Sequence, residues 1–393
     1  MRRPARALLA LLATLAATPA LAVPCGGSFD AFISAMKAEA IAEGHPKAAV
    51  DRFFAGAAED PGVLRRDRAQ GFFQKDFLDF SRALISRERL DRGRVMAQKY
   101  ASVFARAEAR YGVPKGILLS FWAFETDFGA VQGDFNTRNA LLTLAHDCRR
   151  PQIFQPQVLA ALSLYEKGEF DPLHTTGAWA GEVGQVQMLP KDILERGVDG
   201  DGDGKVTLKT SAPDALMSAA HMLQMFGWQA HQPWMVEVRV PERMDWAKSG
   251  LDTQMPVSQW AAMGVRARDG ALPAGGLEAS LLLPQGRHGP AFLVFANYRV
   301  LFQWNKSFVY VTTAAYFATR MEGAPPYDAG HPDPGLSGPE MVALQRKLQA
   351  RGYDVGAIDG VLGSGTRGAV QKAQERLGLP ADGWPTKALL DRL

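Results

Sequence analysis

Only two cysteines, Cys25 and Cys148, occur in the 393 residues of this sequence. A metal site would need more ligands than this pair supplies, so a cysteine-based metal centre is not indicated. In an oxidising compartment such a pair more often forms one disulfide, and we expect Cys25 and Cys148 to be bonded. The alternative is that both are free, buried thiols.

The sequence also has little net charge of either sign. Lys and Arg number 44, Asp and Glu number 41, and the basic residues are spread along the chain. A nucleic-acid partner is therefore not indicated, because such a partner requires a concentrated basic surface. The small positive surplus suits weak attraction to an anionic polymer.

Long hydrophobic runs are missing after the first residues, so no transmembrane segment is expected. Residues 1–22, MRRPARALLALLATLAATPALA, combine a basic start, a short apolar stretch and a small-residue cleavage site ending at Ala22. This pattern predicts a secretory signal peptide. Pro24, directly before Cys25, makes a poor lipoprotein signal. We therefore expect a soluble, exported, periplasmic protein that is not a lipoprotein.

Apolar residues recur at helical spacing through much of the chain. Helices are predicted within 28–110 and around 114–125, 156–167, 190–196 and 213–226. Short strand-like segments, MVEVRV and SLLLP, follow, and FLVFANYRVLF is predicted to be β before a last helix, TTAAYFATRM. The length and apolar content indicate one large domain at 23–321.

Residues 322–338, EGAPPYDAGHPDPGLSG, are rich in proline and glycine and offer almost nothing to bury. This composition predicts a flexible linker. Beyond it, residues 339–393 contain two amphipathic helices and a short third helix. A module of this size is normally a binding domain, and we expect the linker to tether it to the large domain.

The segment FWAFETDFG, residues 121–129, places one glutamate, Glu125, among aromatic residues. In a helix, Phe121, Trp122 and Phe128 would share a face with it. Desolvation by these neighbours would favour the protonated carboxyl group and make Glu125 a general acid near neutral pH. The alternative is a glutamate at the edge of a core helix that reaches water past its neighbours.

A second segment, GAWAGEVGQVQMLP at residues 177–190, combines closely spaced glycines with Gln185 and Gln187. Glycine lets the backbone approach a ligand, and the amides can donate to and accept from sugar hydroxyl and acetamido groups. The alternative is a tight glycine-rich turn before a helix.

Further candidate ligand contacts are the pair Arg149 and Arg150 and the three residues Trp304, Asn305 and Tyr310. Paired arginines can meet the carboxylates of a ligand, and Trp, Asn and Tyr together are typical of a carbohydrate groove. Taken singly, each of these residues is also typical of ordinary surface or core.

An acidic segment, DGDGDGKVTLKT at residues 199–210, has the spacing of a calcium loop of the EF-hand type. Position 12 is Thr210 instead of the usual glutamate, and a later aspartate could complete the ligand set. The predicted calcium ligands are Asp199, Asp201, Asp203, Lys205 and Asp214. The alternative is an acidic surface turn.

Five segments resemble, in their order and spacing, the soluble lytic murein transglycosylase B family. They are FWAFETDFG, LLTLAHDCRRPQIF, GAWAGEVGQVQMLP, DGDGKVTLKTSAPDALMSAA and NYRVLFQWNKSFVY, and the resemblance covers about residues 28–321. The C-terminal D-G-x-x-G-x-x-T pattern, at Asp359, Gly360, Gly363 and Thr366, resembles the peptidoglycan-binding type 1 domain.

This resemblance implies a mainly α (α+β) protein with a lysozyme-like catalytic domain and a small three-helix peptidoglycan-binding domain. It implies cleavage of the β-1,4 bond between N-acetylmuramic acid and N-acetylglucosamine in glycan strands, with a 1,6-anhydro product and no cofactor for the chemistry. Glu125 would be the acid/base and the acidic loop a structural calcium site. The residues that would line or approach the groove are Gln187, Asn305, Tyr310, Arg149 and Arg150.

Three positions depart from the family pattern. Ala178 replaces a common serine, Glu182 replaces a small residue, and Trp304 stands where tyrosine is frequent. One alternative is therefore a muramidase in which Glu182 or Asp134 positions a water, and another is a catalytically idle peptidoglycan-binding scaffold, supported only by Ala178. The sequence points to no particular protein partner in cell-wall synthesis or secretion.

Overall fold

A computed structural model describes residues 23–69 and 75–393. The predicted signal peptide at 1–22 lies outside the described residues. Within them the chain is mainly helical, as predicted, with a smaller share of strand. In this part of the chain no helix is both long and apolar enough to cross a membrane.

The large domain is built from helices around one extensive apolar core. Its helices are α1 (Phe29–Ala42), α2 (Lys47–Phe54), α3 (Pro61–Arg68), α4 (Phe77–Leu84), α5 (Arg87–Lys99), α6 (Ala101–Tyr111), α7 (Lys115–Thr126), α8 (Thr137–His146), α9 (Pro151–Glu166), α10 (Pro190–Arg196), α11 (Ala212–Met225), α12 (Val257–Ala262), α13 (Ala296–Trp304) and α14 (Phe308–Met321). The C-terminal domain contains α15 (Gly338–Gln349), α16 (Ser364–Arg376) and α17 (Lys387–Arg392).

Two antiparallel sheets accompany the helices. The strands are β1 (Phe135–Asn136), β2 (Thr176–Gly177), β3 (Met235–Arg239), β4 (Met255–Pro256), β5 (Arg266–Ala267), β6 (Glu278–Leu282) and β7 (Ala291–Val294). Strand β1 pairs with β2, and the other sheet has the order β4-β6-β7-β3-β5. Leu282 faces the helical core, whereas Leu281 packs with Trp260 in a second core. The larger sheet is thus covered on both faces, which explains its continuous apolar strands.

The prediction that FLVFANYRVLF is β is wrong over its second half. The strand ends at Val294, and α13 begins two residues later. Within α13 the buried residues are Asn297, Tyr298, Val300 and Leu301. This i, i+1, i+3, i+4 spacing is helical, and the apolar strand that precedes it hides the change of period.

Helices α7 and α14 lie against each other at the centre of the large domain. A Cβ atom added to Gly116 of α7 would lie 2.6 Å from the carbonyl oxygen of Ala318 in α14. The N–H of Gly116 donates to Glu322 at 2.8 Å, and Lys115 forms an ion pair with the same carboxylate at 3.1 Å. Glu322, just after α14, therefore caps the N-terminus of α7.

The predicted disulfide between Cys25 and Cys148 is present. It joins the segment that precedes α1 to the connection between α8 and α9. The N–H of Gly26 donates to the carbonyl of His146 at 2.9 Å beside the disulfide. Both bonds attach the start of the described chain to the end of α8.

The proline- and glycine-rich segment 322–337 forms no helix or strand, but it is anchored at both ends. The hydroxyl of Tyr327 shares a hydrogen bond of 2.8 Å with that of Ser81 in α4. Near the other end, the indole of Trp384 donates to the carbonyl of Asp333 at 2.8 Å. The segment is therefore not the free tether that its composition predicts.

Each of the helices α15 and α16 carries a glutamine whose amide closes an Asp-Gly turn. Gln345 accepts from the N–H of Gly360 at 2.9 Å and donates to Thr366 at 3.2 Å. Gln374 accepts from the N–H of Gly383 at 2.9 Å in the same manner. Gly360 and Thr366, two residues of the D-G-x-x-G-x-x-T pattern, thus stabilise the C-terminal domain itself.

The close approach of α7 and α14 predicts that Gly116→Ala destabilises the protein by about 1–3 kcal/mol through overpacking. This effect should exceed the advantage of alanine over glycine in a helix, about 1 kcal/mol. In the control Gly368→Ala, in α16, the nearest atom to the new Cβ is Asp252 Oδ2 at 3.9 Å. The control should therefore be neutral or stabilising in denaturant unfolding. Equal effects of the two substitutions would contradict the packing argument.

Candidate active site

Glu125 lies in the last turn of α7 and receives two hydrogen bonds on one carboxylate oxygen. The hydroxyl of Tyr310 donates to Glu125 Oε1 at 2.5 Å, and the indole N–H of Trp304 donates to the same atom at 3.0 Å. Trp304 ends α13, and Tyr310 lies in the first turn of α14. The Trp304 ring also stacks on Phe121, with 4.2 Å between ring centroids. The stretch 304–310, which is distant from Glu125 in sequence, thus supplies both donors to its carboxyl group.

Burial raises the pKa of Glu125 to about 7, against the opposing effect of the hydrogen bonds from Tyr310 and Trp304; the charge of Glu182 adds to the rise. At neutral pH the carboxyl group is therefore present in both protonation states. Because Oε1 accepts both hydrogen bonds, a proton on the group belongs on Oε2. Among the described residues, none hydrogen-bonds Oε2. That oxygen is thus free to exchange a proton with a ligand.

The aromatic surroundings of Glu125 differ in part from the prediction. Helix α7 ends at Thr126, and Asp127, Phe128 and Gly129 all have positive φ. Phe128 therefore does not continue the helical face, and it packs edge-on against Trp122 at 5.6 Å between ring centroids. The prediction missed Trp304 and Tyr310 as partners of Glu125, because no local sequence pattern connects them to it.

The left-handed turn after Glu125 is held by charged and polar contacts. Asp127 forms ion pairs with Arg89 at 3.3 Å and Arg92 at 2.5 Å, both in α5. The hydroxyl of Thr126 donates to the carbonyl of Gln185 at 2.5 Å and accepts from the N–H of Gly129 at 2.9 Å. Such a turn is unfavourable for residues other than glycine, so these contacts fix the end of α7.

Gln185 and Gln187 lie beside this turn, but their amides bond to the protein. Gln185 Oε1 accepts from the indole of Trp122 at 3.1 Å, and Gln187 Nε2 donates to the carbonyl of Gly184 at 2.8 Å. A Cβ added to Gly177 would lie 2.0 Å from the carbonyl oxygen of Glu182. The glycine-rich segment is therefore a tight turn. Of the four side-chain amide atoms of the two glutamines, Gln185 Nε2 and Gln187 Oε1 have no described hydrogen-bond partner.

Arg149 and Arg150, which were predicted to contact a ligand, form ion pairs within the protein. Arg149 donates to Asp67 Oδ1 at 2.7 Å, and Arg150 contacts the same oxygen. The side chain of Asp67 is only 1% exposed, so its charge requires these partners. Arg150 also opposes the rise that burial causes in the pKa of Glu182. Both arginines thus compensate acidic groups of the protein.

Asn305 is likewise used by the local fold. Its side-chain oxygen accepts from the N–H of Ser307 at 2.8 Å, within the connection between α13 and α14. Ser307 in turn caps α14 by accepting from the N–H of Tyr310 at 3.4 Å. These three residues, predicted to contact a carbohydrate, thus also have structural roles. Trp304 and Tyr310 donate to Glu125, and Asn305 shapes the connection between α13 and α14.

A cleft of about 860 Å³ opens beside Trp304 and Asn305. Its other walls come from α4, from residues 335–338 and from the Asp-Gly turn at 359–363 of the C-terminal domain. A cleft of this size is within the usual range for ligand sites. The C-terminal domain therefore contributes walls of a cleft that Trp304, a hydrogen-bond donor to Glu125, also lines, although Glu125 itself does not line it.

The acidic loop brings the carboxylates of Asp199, Asp201 and Asp203 together, with ligand atoms within 4.8 Å of one another. Three flexible carboxylates at this separation fit a calcium ion. Asp214 does not join them. It is fully buried, and its two oxygens accept from the N–H groups of Gly200 at 2.9 Å and Thr207 at 2.7 Å. Asp214 therefore anchors the loop backbone, which corrects its predicted role as a ligand.

Comparison with known families covers most of the chain. Residues 28–319 match the transglycosylase SLT domain, and residues 337–393 match a peptidoglycan binding domain. The chain belongs to the transglycosylase SLT family. The resemblance on which the family-based expectations rest is thereby confirmed.

Individual proteins are similar to all or part of the chain. The structure of SltB3 from Pseudomonas aeruginosa in complex with NAG-anhNAM-pentapeptide is similar, with a TM-score of 0.85 and 38% identity over 93% of this chain and 99% of that one. Membrane-bound lytic murein transglycosylase B of Escherichia coli K12 is 29% identical over 190 residues, 48% of this chain and 52% of that protein. The spore cortex-lytic enzyme of Bacillus cereus is 45% identical over 49 residues, 12% of this chain and 19% of that protein. The chain therefore spans about half or less of these two curated relatives.

The hydrogen bond from Tyr310 predicts a change in titration. Since this bond lowers the pKa of Glu125, Tyr310→Phe should raise that pKa further above about 7. The control is Tyr298→Phe, because the Tyr298 hydroxyl bonds to Thr312 at 2.9 Å and not to Glu125. NMR titration of the labelled Glu125 carboxyl should show an upward shift only in Tyr310→Phe. A downward shift would mean that water replaces the phenol.

Proposed function

We propose that this protein is a peptidoglycan lytic transglycosylase that cleaves the β-1,4 bond between N-acetylmuramic acid and N-acetylglucosamine. The observation that carries the proposal is Glu125, a half-buried carboxyl group whose pKa is raised to about 7 and whose Oε2 has no described hydrogen-bond partner. Its family membership and the peptidoglycan fragment in the SltB3 structure support the same substrate class.

In the proposed mechanism, protonated Glu125 transfers its Oε2 proton to the glycosidic oxygen, and the bond from that oxygen to C1 of the muramyl residue breaks. The acetamido oxygen of the substrate stabilises C1. Ionised Glu125, with Tyr310 and Trp304 donating to Oε1, then removes the proton from the muramyl 6-hydroxyl group, whose oxygen bonds to C1. The products are a free N-acetylglucosamine 4-hydroxyl group and a 1,6-anhydro ring, and no water is consumed.

We propose that the glycan strand enters through the cleft beside Trp304 and Asn305. The remaining amide atoms, Gln185 Nε2 and Gln187 Oε1, are suited to hydroxyl and acetamido groups. The indole edge of Trp304 and the partly exposed Asn305 side chain add polar and apolar contacts of the kind that sugars bind.

Two alternatives remain distinct from this proposal. A muramidase would use Glu182 to hold a water near C1, and its charge is close enough to raise the pKa of Glu125. Asp134 is exposed, and no contact in the described part of the chain favours it for this role. An idle scaffold was suggested by Ala178, but Tyr310 and Trp304 give the Glu125 carboxyl group two donors without a serine hydroxyl.

The proposal predicts that Glu125→Gln reduces turnover at least about 10³-fold, because both proton transfers are lost. Thermal unfolding should show that this variant remains folded. The matched control is Glu182→Gln, which removes the neighbouring carboxylate and should still yield the anhydro product. Mass analysis of digested sacculi distinguishes the outcomes, since each anhydro muropeptide is lighter by one water than a product of hydrolysis.

Two results would refute the assignment. Near-normal turnover in Glu125→Gln would exclude Glu125 as the acid/base. Mainly reducing ends in wild-type digests, reduced in Glu182→Gln, would identify a muramidase instead.

We also propose that the acidic loop binds calcium as a structural ion. Asp199, Asp201 and Asp203 would hold it with the carbonyl of Lys205, and the ion would neutralise their mutual repulsion. No hydrogen bond among the described residues joins the loop to Glu125, and we assign calcium no part in the chemistry. Arg106 donates to the carbonyl of Gly200 at 2.6 Å, which ties the loop to α6.

Calcium added to chelator-treated protein should therefore raise the melting temperature by a few degrees, and magnesium should do so less. Asp201→Asn should abolish most of this increase. Asp214→Asn should lower the melting temperature with and without calcium, because Asp214 anchors the loop. An identical melting temperature with and without calcium would favour an acidic surface turn.

The proposed substrate requires that the protein act at the cell wall. We propose export to the periplasm through the predicted signal peptide at 1–22, which would meet this requirement, and the disulfide agrees with an oxidising compartment. Glycan strands are the proposed partner of both domains.

A further inference from the structure

The C-terminal domain is docked on the large domain by specific side chains. Gln371 in α16 donates to the carbonyl of Ser249 at 2.8 Å. Asp382, whose side chain is 3% exposed, forms an ion pair with Arg287 at 3.3 Å. A hydrogen-bonded ion pair with one buried partner requires a defined geometry. The contacts therefore fix the orientation of the domain.

Arg367 lies within this interface. Its guanidinium carbon is 4.3 Å from the ring centroid of Phe308 and 5.8 Å from that of Trp384. One terminal nitrogen donates to the carbonyl of Pro284 at 2.6 Å, and the buried Nε has no hydrogen-bond partner within residues 23–69 and 75–393. Among the described residues no carboxylate forms an ion pair with Arg367. Its charge is therefore stabilised mainly by aromatic faces and one carbonyl.

The charge of Arg367 is present at physiological pH. Burial lowers the pKa of the guanidinium to about 10, with smaller opposing effects from Tyr298 and Asp382. A cation over the face of a buried ring is attracted more strongly than one in water. The contact with Phe308 is therefore a stabilising interaction between the two domains.

Phe308 connects this interface to the active site. It is the first residue of α14, and it lies between Trp304 and Tyr310, the two donors to Glu125 Oε1. Displacement of Phe308 would change the start of α14 and the connection from α13. Both donors lie on that short stretch, and a hydrogen bond weakens steeply when its length or angle changes.

We propose that Arg367 of the C-terminal domain is a positioning residue for Glu125, acting through Phe308 to hold Trp304 and Tyr310 on the carboxyl group. The inference rests on the proposed function. It makes the C-terminal domain part of the catalytic apparatus for every substrate, including short soluble glycans that need no attachment to the cell wall.

The decisive variant is Arg367→Met in the full chain, which removes the charge and keeps most of the side-chain length. We expect kcat on short soluble glycans to fall about tenfold, the rate equivalent of about 1.4 kcal/mol, whereas KM stays within about twofold. Binding of the variant to insoluble sacculi should be unchanged. Arg367→Lys keeps a cation near Phe308 and should recover at least about half of the wild-type kcat.

Gln371→Ala is the matched control, because it removes a docking contact that does not touch residues 304–310. Its kcat should remain close to that of the wild type. Circular dichroism and thermal unfolding test whether each variant is folded. If Arg367→Met is unfolded, the kcat of Arg367→Lys is compared with that of Gln371→Ala instead. The inference then predicts a lower kcat in Arg367→Lys.

Unchanged kcat in Arg367→Met, or equal losses in Arg367→Met and Gln371→Ala, would overturn the inference. A rise in KM with unchanged kcat would also overturn it and would identify Arg367 as a substrate contact. These outcomes leave the proposed function intact. Absence of anhydro products from the wild-type protein would instead refute the proposed function.

Discussion

The candidate active site depends on the balance between burial of the Glu125 carboxyl group and the two hydrogen bonds to its Oε1. Burial alone favours a permanently protonated acid, whereas Tyr310 and Trp304 stabilise the ionised form. Their opposition gives a pKa of about 7, at which one group can serve as an acid and then as a base. Because this pKa lies above the usual value, the folded state binds the proton more tightly. The resulting stabilisation is complete below about pH 4.5 and is lost as pH rises through about 7.

The rest of the large domain maintains this balance. The close contact at Gly116 sets the distance between α7, which carries Glu125, and α14, which carries Tyr310. The ion pairs of Asp127 fix the turn after Glu125, and Gln185 connects that turn to Trp122. The active site is therefore held by backbone positions, by the ion pairs of Asp127 and by Gln185, and of these only Gln185 is also proposed to contact the substrate.

The sequence predicted the helical fold, the disulfide, the aromatic surroundings of Glu125 in part and the clustering of the loop carboxylates, because each produces a local pattern of residue type and spacing. It did not identify Tyr310 and Trp304 as donors to Glu125, since that contact arises only from the packing of α7 against α13 and α14. The same limit applies to Arg149 and Arg150, whose ion pairs within the protein the sequence did not reveal. Their partner, Asp67, is far away in the sequence, and a paired basic motif does not reveal whether its carboxylate belongs to a ligand or to the protein.

The capping of α7 by Glu322 determines where the catalytic domain can be separated from the rest of the chain. A boundary at residue 321, drawn from composition, divides α14 from the carboxylate that accepts the N–H of Gly116. Tyr327 lies a few residues further on and completes an aromatic group with Tyr316, with ring centroids 4.7 Å apart. An independently stable catalytic fragment must therefore extend beyond Tyr327, so the segment between the domains belongs, in its first half, to the enzyme core.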